Sequence, residues 1–151
     1  MTCTASRAAG GTRLAQGFPM LPPPAVLVAV GPDVQADPRV RDDLEGWVRG
    51  SGFRPRFAAD ADQAIAWLRD EREAFAASLL DSGLGVDGEP TWQRVGPLVG
   101  RRLVLLLREE RRTLWFEALR SGVGAVVPHP WAPAALAAAL AVATGGGTQT
   151  R

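Results

Sequence analysis

Between residues 25 and 143 the chain alternates short unbroken apolar runs with stretches whose apolar residues recur at helical spacing. Residues 25–30 form a continuous apolar run of strand length, as expected where both faces of a sheet are covered. Asp37 followed by Pro38 is a good helix start, a capping carboxylate with proline at the first helical position. Val40, Leu44, Trp47 and Val48 then mark one face of an amphipathic helix that stops near Gly50 or Gly52. Residues 53–58 predict a second strand, at an edge because Pro55 has no N–H to give a ladder. Asp60 caps a second helix with Ala61, Ile65 and Leu68 inward.

The alternation continues to the end of this window. Residues 75–80 predict a third strand that runs into Asp81. Residues 91–100 predict a poor helix, weakened by Gly96-Pro97. Leu103–Leu107 is a fourth strand, strongly apolar, and residues 111–120 a helix presenting Leu114, Trp115, Ala118 and Leu119, closed by Gly122. Residues 125–127 and Pro133–Ala143 supply a fifth strand and helix. Strands alternating with helices imply a parallel sheet with right-handed crossovers. Five such units suit an α/β, flavodoxin-like doubly wound fold of three layers, whose ligand crevice lies beyond the carboxyl ends of the strands.

The flanks differ. Residues 1–24 are rich in Gly, Ala, Thr and Pro without apolar periodicity and read as a disordered arm, and 144–151 as a flexible tail. Residues 25–143 are the domain. With 151 residues in all, the chain holds about one domain's worth of sequence.

Composition excludes several chemistries. The net charge of +1 favours neither nucleic acid nor an anionic membrane. All seventeen basic residues are arginine and there is no tyrosine, so no mechanism needing a lysine ammonium or a phenol applies; with abundant Ala, Gly and Pro, this suggests a GC-rich bacterial genome. Cys3 is the single cysteine and His129 the single histidine, against a disulfide or a Cys/His metal site. The apolar stretches are too short to span a membrane, and no signal-peptide core is visible, so a cytoplasmic protein is expected. The turn after the first strand, at Gly31, has no GxGxxG pattern, and the chain has no Walker lysine.

The strand ends carry the candidate chemistry. The third strand puts the Asp81 carboxylate at the crevice mouth, followed by a Gly-rich loop through Gly83, Gly85 and Gly88. Such a carboxylate is a nucleophile, a metal ligand or simply the cap of a turn. The fifth strand leads to His129 between Pro128 and Pro130, able to shuttle a proton or donate to an anion, or to bond to backbone in a turn. The run from Pro130 to Ala143 has no charged side chain, which points to an outer face packed on a partner, with Trp115, Trp131, Leu136 and Leu140 as interface candidates. Arg101, Arg102, Arg108, Arg111 and Arg112 read as a solvated face, or as a patch for an acidic partner.

The stretch from Glu117 to Trp131, EALRSGVGAVVPHPW, resembles the response-regulator receiver run ALEAGADDYLVKPF, and Leu79-Leu80-Asp81 with Val86-Asp87-Gly88 resembles the strand bearing that family's phospho-acceptor aspartate. The resemblance covers about residues 25–143 and implies a CheY-like fold, with Asp81 as the phospho-acceptor candidate. The departures are as informative. Where the family has two acidic residues at the end of the first strand, this chain has Val30 and Gly31, with Asp33 slightly further on. The family's hydroxyl residue is replaced by Leu107, its lysine by His129 and its aromatic switch residue by Val126. The loop after Asp81 is also shorter and lacks the family's usual proline.

A lone carboxylate holds Mg²⁺ poorly, and an aspartyl phosphate forms when that ion neutralises the transferring group. The expectation is therefore a degenerate receiver, not an enzyme and without a cofactor. It would act in two-component or phosphorelay signalling by contact with a protein partner, a histidine kinase or an output protein, and as a homodimer through the last helix. Two alternatives stand beside it. One is a phosphorylatable receiver using Mg²⁺, with Asp33 or Asp37 helping to hold the ion, and the other a flavodoxin-like protein binding a small ligand.

Overall fold

A computed structural model describes residues 22–70, 72, 74–86 and 89–145. Nearly all of the expected N-terminal arm and tail, together with Asp87 and Gly88, lies outside the described residues. Strand β1 (Ala25–Ala29) leads through a single helical turn, α1 (Pro32–Gln35), into helix α2 (Pro38–Gly50). Strand β2 (Arg54–Phe57), helix α3 (Ala61–Arg69) and strand β3 (Phe75–Asp81) follow. A two-residue ribbon, β4 (Gly85–Val86) against β5 (Glu89–Pro90), precedes helix α4 (Thr91–Val99). Strand β6 (Leu103–Leu107), helix α5 (Trp115–Arg120), strand β7 (Ala125–Pro128) and helix α6 (Pro133–Ala143) complete the domain.

The five long strands form one wholly parallel sheet in the order β2-β1-β3-β6-β7. This is the doubly wound arrangement in which the chain reverses its winding between β1 and β3. The switch opens a crevice beyond their C-terminal ends. Helices α2 and α6 bury Leu44, Val48, Leu136 and Leu140 on one face, while α3, α4 and α5 bury Ile65, Val95 and Ala118 on the other. Strand β6 sits between two neighbours and is inaccessible at every position, each such leucine contributing about 1.5–3 kcal/mol on burial.

Local chemistry explains the element boundaries. Asp37 accepts from the amide of Arg39 at 3.1 Å, and Asp60 from that of Gln63 at 2.8 Å, so both predicted caps cap their helices. Pro55 lies on β2, an edge strand, as its missing donor requires. Two boundaries differ from expectation. The helix expected from residue 111 starts as 3₁₀ turns over Glu109–Leu114, with Arg111 out of helical geometry, and becomes α-helical only at Trp115. No side chain caps its first turn, so nothing local favours an earlier start. Gly85–Val86 and Glu89–Pro90, expected as loop, pair as the small β4–β5 ribbon.

The last helix corrects the interface expectation. Leu136 and Leu140 are completely buried in the core, so neither is available to a partner. The outward face of α6 is made of Ala134, Ala135, Ala137, Ala138 and Val142. Alanine forms helix well and exposes little apolar surface, which is how an uncharged helix stays half in water. Trp115 and Trp131 are half-buried against the two cores. Among the described residues the large apolar side chains left exposed are Leu98, Phe116, Leu119 and Val142, with Phe116 the most open at 77%. No described helix is long and apolar enough to cross a membrane.

Candidate functional site

Asp81 ends β3 beside the switch point and is completely buried. Four hydrogen bonds hold its carboxylate. Oδ1 accepts from the Gly83 amide at 2.8 Å and from Arg108 Nε at 2.7 Å. Oδ2 accepts from the Gly31 amide at 2.9 Å and from Arg108 Nη2. A carboxylate offers about four lone-pair sites, and here each meets a donor.

Arg108 reaches this carboxylate because it follows β6 directly. Strand alternation puts residue 108 on the same face as Val104 and Leu106, the face on which Asp81 continues Ala77 and Leu79. Its amide donates to Ser82 Oγ at 2.9 Å, tying the strand end to the loop after Asp81. The guanidinium then forks a second time. Nη1 donates to Asp33 Oδ2 at 2.8 Å and Nη2 to Asp33 Oδ1 at 3.0 Å. One cation thus bridges a buried carboxylate and a largely exposed one.

Asp33 gets there because the chain folds back after β1, making the helical turn α1 whose first-turn acid it is. Hydrogen bonds from Arg108 hold the Asp33 carboxyl below its ordinary value, against a smaller opposing effect of burial. The same bonds, those to Asp81 foremost, raise the already very high pKa of Arg108 despite its partial burial. The guanidinium is a permanent charge under all ordinary conditions.

This geometry decides how a divalent ion would fit. Asp33 and Asp81 converge on one point, as two metal-binding carboxylates would, but the point of convergence is Arg108 Nη2. Among the described residues no group of three His, Cys, Asp or Glu side chains could hold a metal ion. A cation that cannot be titrated away already stands between the two carboxylates that are there. The donor set does not fit Mg²⁺.

The remaining sequence candidates are dispersed around this centre. Gly83 takes part through its amide. Leu107 does not line the crevice with its side chain, which is buried in the core, but its carbonyl accepts from Trp131 Nε1 at 3.1 Å. His129 is exposed, edge-on to the Trp131 ring at 5.9 Å, and the Arg108 guanidinium lies 6.0 Å from the centre of that same ring. Asp37 is spent on its helix cap, though it also borders a cavity of about 370 Å³ with Asp33, Arg108, His129 and Trp131.

Arg108 departs from the solvated arginine face expected for it: Arg101, Arg102, Arg111 and Arg112 are exposed, but the Arg108 side chain is 16% exposed and faces Asp81. Its position was signalled. An arginine directly after a fully apolar strand that neighbours the Asp81 strand must emerge at the same crevice.

No family model and no curated protein matches the chain in sequence. Its structure is similar to solved ones. A receiver-domain protein of Clostridium thermocellum superposes with a TM-score of 0.67 at 10% identity, over 85% of this chain and 99% of that one. The receiver domain of the Francisella response regulator 1452 gives 0.63 at 16% identity, covering 81% and 97%. The signal receiver domain of an HD domain-containing protein from Pseudomonas fluorescens gives 0.61 at 16%, covering 87% and 97%. This is the CheY-like receiver fold. Within it, Asp81 occupies the C-terminal end of the third long strand, and the receiver crevice of this chain is filled by an arginine.

Proposed function

We infer that the chain is a receiver-type signalling domain in which Arg108 takes the role of the divalent ion, so that Asp81 is held unphosphorylated and the domain acts by contact with a protein partner. The observation that carries this reading is the saturation of the Asp81 carboxylate by Gly31, Gly83 and two nitrogens of Arg108. A nucleophilic carboxylate needs a free lone pair aimed at the incoming phosphorus, and a transferring phosphoryl group needs a cation that can bridge to it. Arg108 uses its fork on the two aspartates instead. His129, which borders the same cavity as Asp33 and Arg108 where the resemblance expects a lysine, supports the same reading. The domain is thus a binding module of two-component or phosphorelay type, with a kinase or an output protein as partner and without enzymatic turnover.

Manganese titration followed by amide NMR tests the ionic part. The amides of Gly31 and Gly83 bond directly to Asp81, so an ion bound there would broaden both. Both signals are expected to stay sharp. Selective broadening of the pair would overturn the reading in favour of a metal-dependent, phosphorylatable receiver.

A further inference from the structure

The cavity of about 370 Å³ that Asp33 and Arg108 border has a second character. Its wall also holds Asp37, Asp43 and Glu110, together with Trp47 and Trp131. Asp43 and Glu110 are exposed, and neither carboxylate has an ion pair or hydrogen bond among the described residues. Trp47 is half-buried, and no other ring or guanidinium lies against it. A tryptophan face beside unpaired carboxylates suits an arginine, whose guanidinium stacks on the ring and forks onto oxygen. The chain settles arginines of its own on rings. Arg56 lies 4.3 Å from the centre of the Trp67 ring, and Arg41 4.4 Å from that of Phe57.

The matching cations lie at the other end of the sheet. Arg101 and Arg102 precede β6 and Arg120 precedes β7. All three are exposed, and none has an ion pair among the described residues. The turn after Arg120 runs back to them, since Gly124 packs against the Arg101 carbonyl. No acidic residue occurs in the sequence from Thr91 to Arg108, or after Glu117.

These two faces cannot meet within one molecule. Arg102 and Arg108 flank the five residues of β6, so about 20 Å of extended strand separates the ends, far more than an arginine side chain spans. They can meet only between molecules, and a net charge of +1 opposes that approach little.

We propose that the chain associates head to tail with a second copy of itself, Arg101 of one copy stacking on Trp47 and pairing with Asp43 and Glu110 of the next. Arg102 and Arg120 add to the attraction around it. Such a contact is heterologous, so each pair keeps one free face of either kind and grows into a filament or closes into a ring. None of the bonds to Asp81 takes part, so the association does not depend on whether Asp81 accepts a phosphoryl group.

Sedimentation of the full-length chain over a dilution series tests this in about 0.01 M and about 1 M sodium chloride, where screening lengths are about 30 and 3 Å. At low salt the mean mass should rise with concentration to more than that of two chains, and at high salt it should stay at that of one. Arg101→Glu should remain monomeric at low salt, and so should Asp43→Arg combined with Glu110→Arg. An equimolar mixture of these two variants should recover at least a pair, because each keeps one intact face. In the ¹⁵N-labelled parent, the indole signal of Trp47, assigned through Trp47→Phe, should move with concentration while that of the buried Trp92 stays in place. A parent that is monomeric at low salt overturns the proposal, as does a variant that still associates or a mixture that does not. So does a monomeric chain whose Trp47 signal moves with free arginine amide, which would give the cavity to a different basic partner.

Discussion

Gly31 and Asp81 meet backbone to carboxylate across the switch point of the sheet, 2.9 Å apart. A Cβ at Gly31 would lie 3.3 Å from Asp81 Oδ2, 3.2 Å from Arg108 Nη2 and 3.0 Å from Asp33 Oδ1. The backbone there is ordinary, with φ of −67°, so the glycine is required by proximity and not by conformation. Gly31→Ala should therefore destabilise the domain by about 1–2 kcal/mol, because three charged atoms must give way together. Urea denaturation checks this, and an alanine variant as stable as the parent would mean that the three groups are looser than described.

Arg108 should matter more. Removing it leaves the Asp81 carboxylate short of two donors, a loss of about 3–5 kcal/mol for a buried pair broken on one side. Arg108→Ala should lower the denaturation midpoint accordingly. Arg108→Lys should recover only part of that loss, since an ammonium has no fork to span Asp81 and Asp33 at once. Full recovery by lysine would show that charge alone, without bidentate geometry, holds the centre.

Acid should weaken the bridge in a defined window. The folded-state pKa of Asp33 lies below its ordinary value of 3.8 because of the hydrogen bonds from Arg108. A depressed carboxylate contributes stability above its unfolded pKa, and that contribution is lost as pH falls through the folded pKa. The difference in melting temperature between the parent and Asp33→Asn should thus be constant near neutrality and shrink below about pH 4. Because Asp33 is 65% exposed, the whole effect should be small and should decline with added salt. A difference that grows on acidification would contradict the pairing.

Most of the architecture was legible in the chain because apolar period and capping agreed. The unbroken run Leu103–Leu107 is the fourth strand it is expected to be, and Asp37 and Asp60 cap the two helices whose starts they mark. What periodicity could not reveal was which face of α6 points inward. An all-apolar helix has no polar side to orient it, and Leu136 and Leu140 were read outward when size alone should have sent them to the core. The site was half legible. Asp81 and Asp33 were placed at the crevice, but Arg108 was lost among nearby arginines because charge runs usually face water, and its direction depended on strand parity.

Another glycine was invisible to pattern reading for a related reason. A Cβ on Gly124 would fall 1.8 Å from the carbonyl oxygen of Arg101, a contact between chain segments far apart in sequence. Gly124→Ala should force the start of β7 away from its neighbour and cost about 2–4 kcal/mol, whereas Ala137→Glu on the outer face of α6 should leave stability within about 0.5 kcal/mol. Comparable midpoints for the two variants would refute this assignment of contact and surface.

The central claim is that Arg108 holds Asp81 as a permanent counter-ion and so keeps it from accepting a phosphoryl group. Incubation with acetyl phosphate and Mg²⁺, followed by intact-protein mass measurement, tests it most directly. The expected spectrum holds the unmodified chain alone. A phosphoryl adduct that appears in the parent and disappears in Asp81→Asn would contradict the account.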